Sequence, residues 1–422
     1  MSDNRDTKLY AVKGNVEELD RKIKEHRKKV RLLLIIVAAA LVVLFIVIKG
    51  ITSLLSYDDY KVRASIERND SPATEVCTFG DGIVKYSNDG ISYVLVDGKL
   101  VWNQTFEMEN PEIDTCGDFI VVYDSGGKQI YILNKEGLKG SMVAARTIKQ
   151  VHVASQGNIA VLTEDGSACD IQMYEPTGEA IAKGQVHIEN SGYPMDIALS
   201  DDGIKLAVAM LDVTNGSVKT SIGFYNFSSV GQNEIDNIVG TYSYSGTMIP
   251  RIEFVTNNTL FAFGDNQLLV FDGTQKPEEK EQISIKDEIK SIFYNEKYLG
   301  IVTENDDYFE ESAANVEGEV SGETVKWSEK KNGKYKMVLY GSDGDIKHTG
   351  IFNMEYQSIG FLSNGEICIF GDDTCALYTE EGKKKFYYEF DEGIDCVVPG
   401  KGISGRSYIF VTDSEIEKVR LK

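Results

Sequence analysis

The sequence predicts an all-β fold: an eight-bladed β-propeller preceded by one N-terminal transmembrane α-helix. Three observations carry this. Short strands recur with a period near 40 residues, four strands to each unit. The last unit is one strand short. A lone strand stands ahead of the first unit, as if to supply the missing one.

The repeat has a shared grammar. One strand class ends at an acidic or Gly turn: "GIVKYSNDG" (82–90), "FIVVYDSGG" (119–127), "IAVLTEDGS" (159–167), "KLAVAMLDV" (205–213), "LFAFGDNQ" (260–267), "LGIVTENDD" (299–307), "EICIFGDD" (366–373) and "SYIFVTDS" (407–414). These segments start 37, 40, 46, 55, 39, 67 and 41 residues apart, so three gaps hold insertions. Seven of the eight lead into an aromatic or aliphatic hairpin with a polar turn, such as "ISYVLVDGKLVW". A further short strand precedes each unit, as in "IKQVHVASQGN" and "PRIEFVTNN". Four antiparallel strands per unit of about 40–45 residues is the pattern of a propeller. "LSDDGIKLAV" (199–208) reads as a turn from the first to the second strand of a blade.

From Gly393 the chain offers only three strands before it stops. Strand 60–67, "YKVRASIE", alternates Tyr60, Val62, Ala64 and Ile66 with polar residues. Closing the ring with this strand leaves no free sheet edge at the seam. The count is therefore eight blades, with seven as the alternative because the unit 393–422 is atypical.

Ahead of the propeller, Leu32 to Ile48 are 17 consecutive apolar residues, flanked by Arg31 and Lys49. A helix of that length covers roughly 25 Å, at the short end for a bilayer core of about 30 Å. The run is longer than a signal-peptide core and has no polar face, which favours a retained signal-anchor. Residues 21–31 hold seven bases against one acid, so the N-terminus is predicted to be cytoplasmic and the propeller extracellular. The organisation is a basic cytoplasmic segment (1–31), a transmembrane helix (32–49), a short tether (50–59) and an extracytoplasmic propeller (60–422). The bilayer is then one partner, through residues 32–49. A membrane-proximal protein of unknown identity is the other.

Net charge is −22 over 422 residues, while residues 1–31 alone carry +4. The acidic outer region argues against nucleic acid as a partner. Two connections between second and third strands read as enlarged: "LDVTNGSVKTS" (211–221) and the longer 304–335. The second holds eight acids between Glu304 and Glu323, with Tyr308, Phe309 and Trp327 as possible partner-contact residues. No catalytic residues, cofactor or metal site is expected. His152, His187 and His348 lie in no metal-binding spacing, and GxSxG and Walker-type loops are absent. The six cysteines include no CxxC. Cys368 and Cys375 fall on core slots. A two-residue turn at Gly371-Asp372 would set them face to face across a hairpin, where a disulfide is open.

The stretches "VWNQTFEMENP", "ENSGYPMDIALSDDGIKLAVAMLDV" and "YNFSSVGQNEIDN" resemble an uncharacterised family of Firmicutes, chiefly gut Clostridia. Its members join one transmembrane helix to a propeller-like outer region and are catalogued as a domain of unknown function. The resemblance implies a Gram-positive surface protein and carries over no activity. The expected propeller is of WD40- or quinoprotein-like type, and the hairpin "DGKLVW" around Trp102 is similar to repeats of quinoprotein-type propellers and of the outer-membrane assembly scaffold built like them. The adjacent Cys-Cys pair of quinone-dependent alcohol dehydrogenases is missing. The expected function is a non-catalytic protein-interaction scaffold in the bacterial envelope. Glycan or small-ligand binding is the alternative.

Overall fold

The computed structural model describes residues 16–53, 56–71, 73–95, 97–166, 168–188, 192–305, 333–400 and 405–422. The chain divides into two units, 1–55 and 56–422. In the first, a single helix runs Val16–Ser53. The apolar side chains from Leu32 to Val37 are exposed. Among the described residues, no helix is long and apolar enough to cross a membrane. Side chains 41, 42 and 44–49 of the predicted span lie outside that description.

The second unit is an eight-bladed propeller. Its described residues form eight four-stranded antiparallel sheets. Blades 1 to 7 span 75–105, 111–143, 147–187, 193–245, 251–284, 289–352 and 358–389. Blade 8 takes three strands from 394–421 and its outer strand, Tyr60–Glu67, from the other end of the domain. Tyr60 pairs with Leu421 and Glu67 with Glu415. The unit at 393–422 is therefore a full blade, and eight is the count.

Second strands are buried on both sides because neighbouring blades cover them. Thr259–Phe263 is buried at every residue, and Ile159–Asp165 at its first five. This is why those segments read as unbroken apolar runs rather than alternating ones. Outer strands face solvent, and Glu278–Ser284 is exposed along nearly its whole length. One hydrophobic cluster lies between each adjacent pair of blades, eight in all. The cluster between blades 8 and 1 is the smallest, built on Ile83, Cys396, Val398, Ile409, Val411 and Ile416.

Every outer strand carries a β-bulge at the same register: Arg63, Val101, Lys139, Ile181, Val239, Lys280, Lys347 and Lys385. A bulge twists the strand and interrupts its ladder, which spoils the outer edge as a template for another chain.

The ring has two faces. Loops joining first to second and third to fourth strands lie on one, here the first face. Loops joining second to third strands and blade to blade lie on the second. The domain begins at the first face, since Tyr60 and Leu421 are paired there. Just before, Tyr57 forms a parallel bridge to Phe386 of blade 7, with its N–H donating to the Lys385 carbonyl at 2.8 Å.

Two expectations need correction. The connection in blade 4 predicted over 211–221 is shorter than expected, because both its ends are strand: Leu211 pairs with Thr220 and Asp212 with Lys219. Only 213–218 connect them, with one 3-10 turn at Thr214–Gly216. The hairpin after Phe370 also turns one residue later than expected. The Gly371 N–H donates to the Thr374 carbonyl, and Phe370, not Cys368, pairs with Cys375.

Candidate functional site

Inner strands of successive blades bring side chains from distant parts of the chain to the central channel. Asp114 (blade 2), His152 (blade 3), Asp196 (blade 4) and Glu253 (blade 5) form the densest titratable group. Asp114 Oδ2 accepts from the Val153 N–H at 2.8 Å and lies 3.5 Å from His152 Nδ1. Asp196 Oδ1 accepts from Gln150 Nε2 at 2.6 Å, and its Oδ2 accepts from the Ile252 N–H at 2.7 Å. Gln150 Oε1 in turn accepts from the Ile197 N–H at 3.2 Å. These bonds run from one blade to the next, so the group clamps blades 2 to 5 along their inner edges.

The electrostatics follow from crowding four acid–base groups in a confined channel. Burial would lower the His152 pKa, but the bond to Asp114 and the charges of Asp114, Glu253 and Asp196 outweigh it and push it up to about 9. Burial pushes Glu253 up to about 7, with His152 and Arg251 opposing. Burial also raises Asp196, against its two hydrogen bonds. Tyr294 is raised by burial and by Glu253. His152 Nε2 is buried without a hydrogen-bond partner. The cluster can hold protons near neutral pH. Among the described residues, no group of three or more His, Cys, Asp or Glu side chains is arranged to hold a metal.

A second feature lies between blades 5 and 6 on the second face. A cavity of about 450 Å³ is lined by Ser284, Lys286, Thr303, Asn305 and Lys336 over an apolar floor including Ile301 and Tyr340. It sits at the root of the 304–335 connection, where Asn305 Nδ2 donates to the Gly333 carbonyl at 2.8 Å. Tyr308, Phe309 and Trp327 of that connection lie outside the described residues.

The first face of blade 4 carries an insertion that sequence reasoning missed as a loop. Residues 227–237 join its third and fourth strands through two 3-10 turns. Buried Asn226 organises it: Oδ1 accepts from the Ser228 N–H at 2.9 Å, and Nδ2 donates to the Gln275 carbonyl at 3.0 Å. Asp236 and Asn237 sit at φ 55° and 60°, and Ile235 beside them is 84% exposed. The tandem Asp-Asn was the available signal, because these residues tolerate left-handed backbone.

The histidine cluster was missed for a different reason. His152 has no partner at local spacing, and its neighbours come from the same inner-strand segment of other blades: "EIDTC", "QVHVA", "MDIAL" and "RIEFV".

The fold and these sites define a closed propeller with blade-to-blade polar clamps. Residues 53–421 match the family described as a family of unknown function (DUF5711), and the chain belongs to it. None of the curated proteins matches it. Among solved structures, it is similar to BamB from Moraxella catarrhalis at 11% identity and TM-score 0.46, covering 86% of this chain and 100% of that one. It is similar to the dipeptidyl peptidase 4 of Porphyromonas gingivalis at 12% identity and TM-score 0.52, covering 83% of this chain and 58% of that one. It is also similar to the hydrazine synthase of Kuenenia stuttgartiensis at 9% identity and TM-score 0.45, covering 76% and 96%. At these identities the likeness concerns the fold alone.

Proposed function

We propose that the chain is a single-pass anchored propeller of the Gram-positive envelope, acting as a non-catalytic scaffold for a protein partner. One observation carries this reading. The channel carboxylates Asp114 and Asp196 are engaged in holding backbone N–H groups of the next blade. That is a role in rigidity rather than turnover. The apolar run 32–48 supports the anchor, and the basic stretch before it supports a cytoplasmic N-terminus. Partner contact falls to the faces. The braced insertion at 227–237 offers Ile235 on the first face, and the 304–335 connection is rooted on the second. Tyr308, Phe309 and Trp327 are the proposed anchors on the 304–335 connection.

Crosslinking in the native membrane followed by mass spectrometry tests the scaffold. Reproducible recovery of one partner, lost on deleting 306–332 or on Ile235→Asp, is expected. Recovery of no partner sinks the reading. The cavity between blades 5 and 6 favours a second reading, binding of a glycan or small ligand. Its hydroxyl, amide and lysine groups suit a polar ligand. Binding on a glycan array that is lost in Lys336→Ala would favour it.

A further inference from the structure

The outer-strand bulges mark one register slot in all eight blades, and the residues at that slot are not random. Val62, Leu100, Leu138, Ile238 and Ile346 each immediately precede the bulge, and Val101 and Ile181 are bulge residues themselves. All seven are exposed aliphatics. In blades 8, 1, 2, 3 and 4 the series is unbroken, so it forms a continuous arc along the rim of the first face. Blade 4 adds Ile204 on that face. Blades 5 and 7 place Glu279 and Lys384 before their bulges, so the unbroken series ends there and Ile346 of blade 6 stands apart from it.

Basic side chains accompany the aliphatics. Lys61 and Arg63 flank Val62, Lys99 precedes Leu100, Lys139 follows Leu138, and Lys183 lies two residues after Ile181. Aliphatic tips beside long, flexible cations are the composition of a membrane-interface surface. The apolar groups enter the headgroup boundary while the amines stay in water. The arc also starts at the strand by which the domain begins. Only six residues separate Ser53, the end of the helix, from Tyr60. Fully extended, such a segment reaches about 20 Å.

We propose that this rim, over blades 8 and 1 to 4, rests on the lipid headgroup layer of the membrane that anchors the chain. The proposal rests on the anchored reading above. The surface suits neutral, zwitterionic headgroups, because Asp81, Asp118, Asp201 and Asp202 in the neighbouring first-face loops offset the attraction of the lysines for anionic lipid.

Outer strand Gly137–Val143 of blade 2 supplies an internal control. Leu138 lies at its first-face end and is 46% exposed, while Val143 lies at the other end and is 74% exposed. The two are separated by roughly 17 Å at about 3.4 Å per residue. The full chain is reconstituted in phosphatidylcholine vesicles and recovered by flotation. A fluorophore is attached through Leu138→Cys or Val143→Cys, with the labelled parent chain as background. A nitroxide carried on the lipid near the headgroup is the quencher. Leu138 is expected to be quenched several-fold more strongly than Val143, and equally with or without added phosphatidylglycerol. Floated chain with both positions unquenched would overturn the lipid contact and assign the arc to a protein surface. Quenching that needs phosphatidylglycerol would overturn the neutral-surface assignment. Failure to float would remove the anchor, and the lipid contact with it.

Discussion

Arg68 crosses the seam of the ring to Asp395 at 2.6 Å, on a side chain only 4% exposed. Its Nε binds Asp70 at 3.0 Å, and the same guanidinium donates to the Thr412 carbonyl. One planar fork thus ties the strand that closes blade 8, the start of blade 1 and two strands of blade 8 together. The smallest inter-blade core lies beside it. Arg68→Ala is expected to lower stability by about 1.5–3 kcal/mol, as for hydrogen bonds to charged partners. Arg68→Lys should recover only part of this, because an ammonium cannot make the same fork. Urea unfolding of the three proteins checks both.

Removing the closing strand is a stronger test of the same seam. Deletion of 57–70 exposes the third strand of blade 8 and discards the Tyr57 bridge to blade 7. The outer domain should then melt at a much lower temperature and with less cooperativity. Unchanged melting would contradict ring closure by this strand.

The channel cluster predicts a pH dependence with a defined sign. His152 is raised from 6.5 to about 9 and Glu253 from 4.5 to about 7. In both cases the folded state holds the proton more tightly than the unfolded chain. The Glu253 contribution is complete below pH 4.5 and is lost as pH rises through 7. The His152 contribution is complete below pH 6.5 and is lost through 9. Stability should therefore fall between pH 5 and 9, by on the order of 2–3 kcal/mol per group at about 1.4 kcal/mol per pKa unit. Glu253→Gln should flatten the lower half of the curve and His152→Gln the upper half. Denaturant midpoints at pH 5, 7 and 9 give the answer.

Cys368 and Cys375 are free, with their sulfurs 3.6 Å apart as diagonal neighbours on one face of the hairpin. Burial and the neighbouring Cys375 hold the Cys368 thiol well above the ordinary range, which suppresses the reactive thiolate. Alkylation of the native protein should spare both residues, and alkylation in urea should label both. Peptide mapping without reductant should find no bond between them.

Asn237, in left-handed backbone, sets the exit of the blade 4 insertion. Asn237→Gly should be neutral or slightly stabilising. Asn237→Val should cost about 1–3 kcal/mol, the range for a strained residue at positive φ. Thermal melts distinguish the two.

Much of the ring was legible in the sequence because burial on both faces of the second strands leaves apolar runs that recur once per blade. The alternation over Tyr60–Glu67 marked a strand correctly, but the bulge at Arg63 breaks that alternation and leaves Val62 and Ala64 exposed, so only Tyr60 and Ile66 of the expected covered face are partly buried. What was not legible depended on register. The hairpin at Phe370 contains Gly371, Asp372 and Asp373, all good turn formers, and a one-residue slip changes which residue faces Cys375. The strand ends at Asp212 and Lys219–Ser221 looked like loop because they are polar and flank Asn215-Gly216. The channel cluster was hidden because its members meet only after the ring closes.

The pairing of Tyr60–Glu67 with the last strand also determines how the domain would bear tension. Tension applied at its first-face end along the strand axis would act antiparallel to Glu415–Leu421. All seven registered pairs would then be strained together in shear rather than unzipped one by one. The Tyr57 bridge adds a grip on blade 7 ahead of the first pair. A drag on the propeller, transmitted through residue 56, would meet its strongest mechanical resistance at the point where the ring is also sealed.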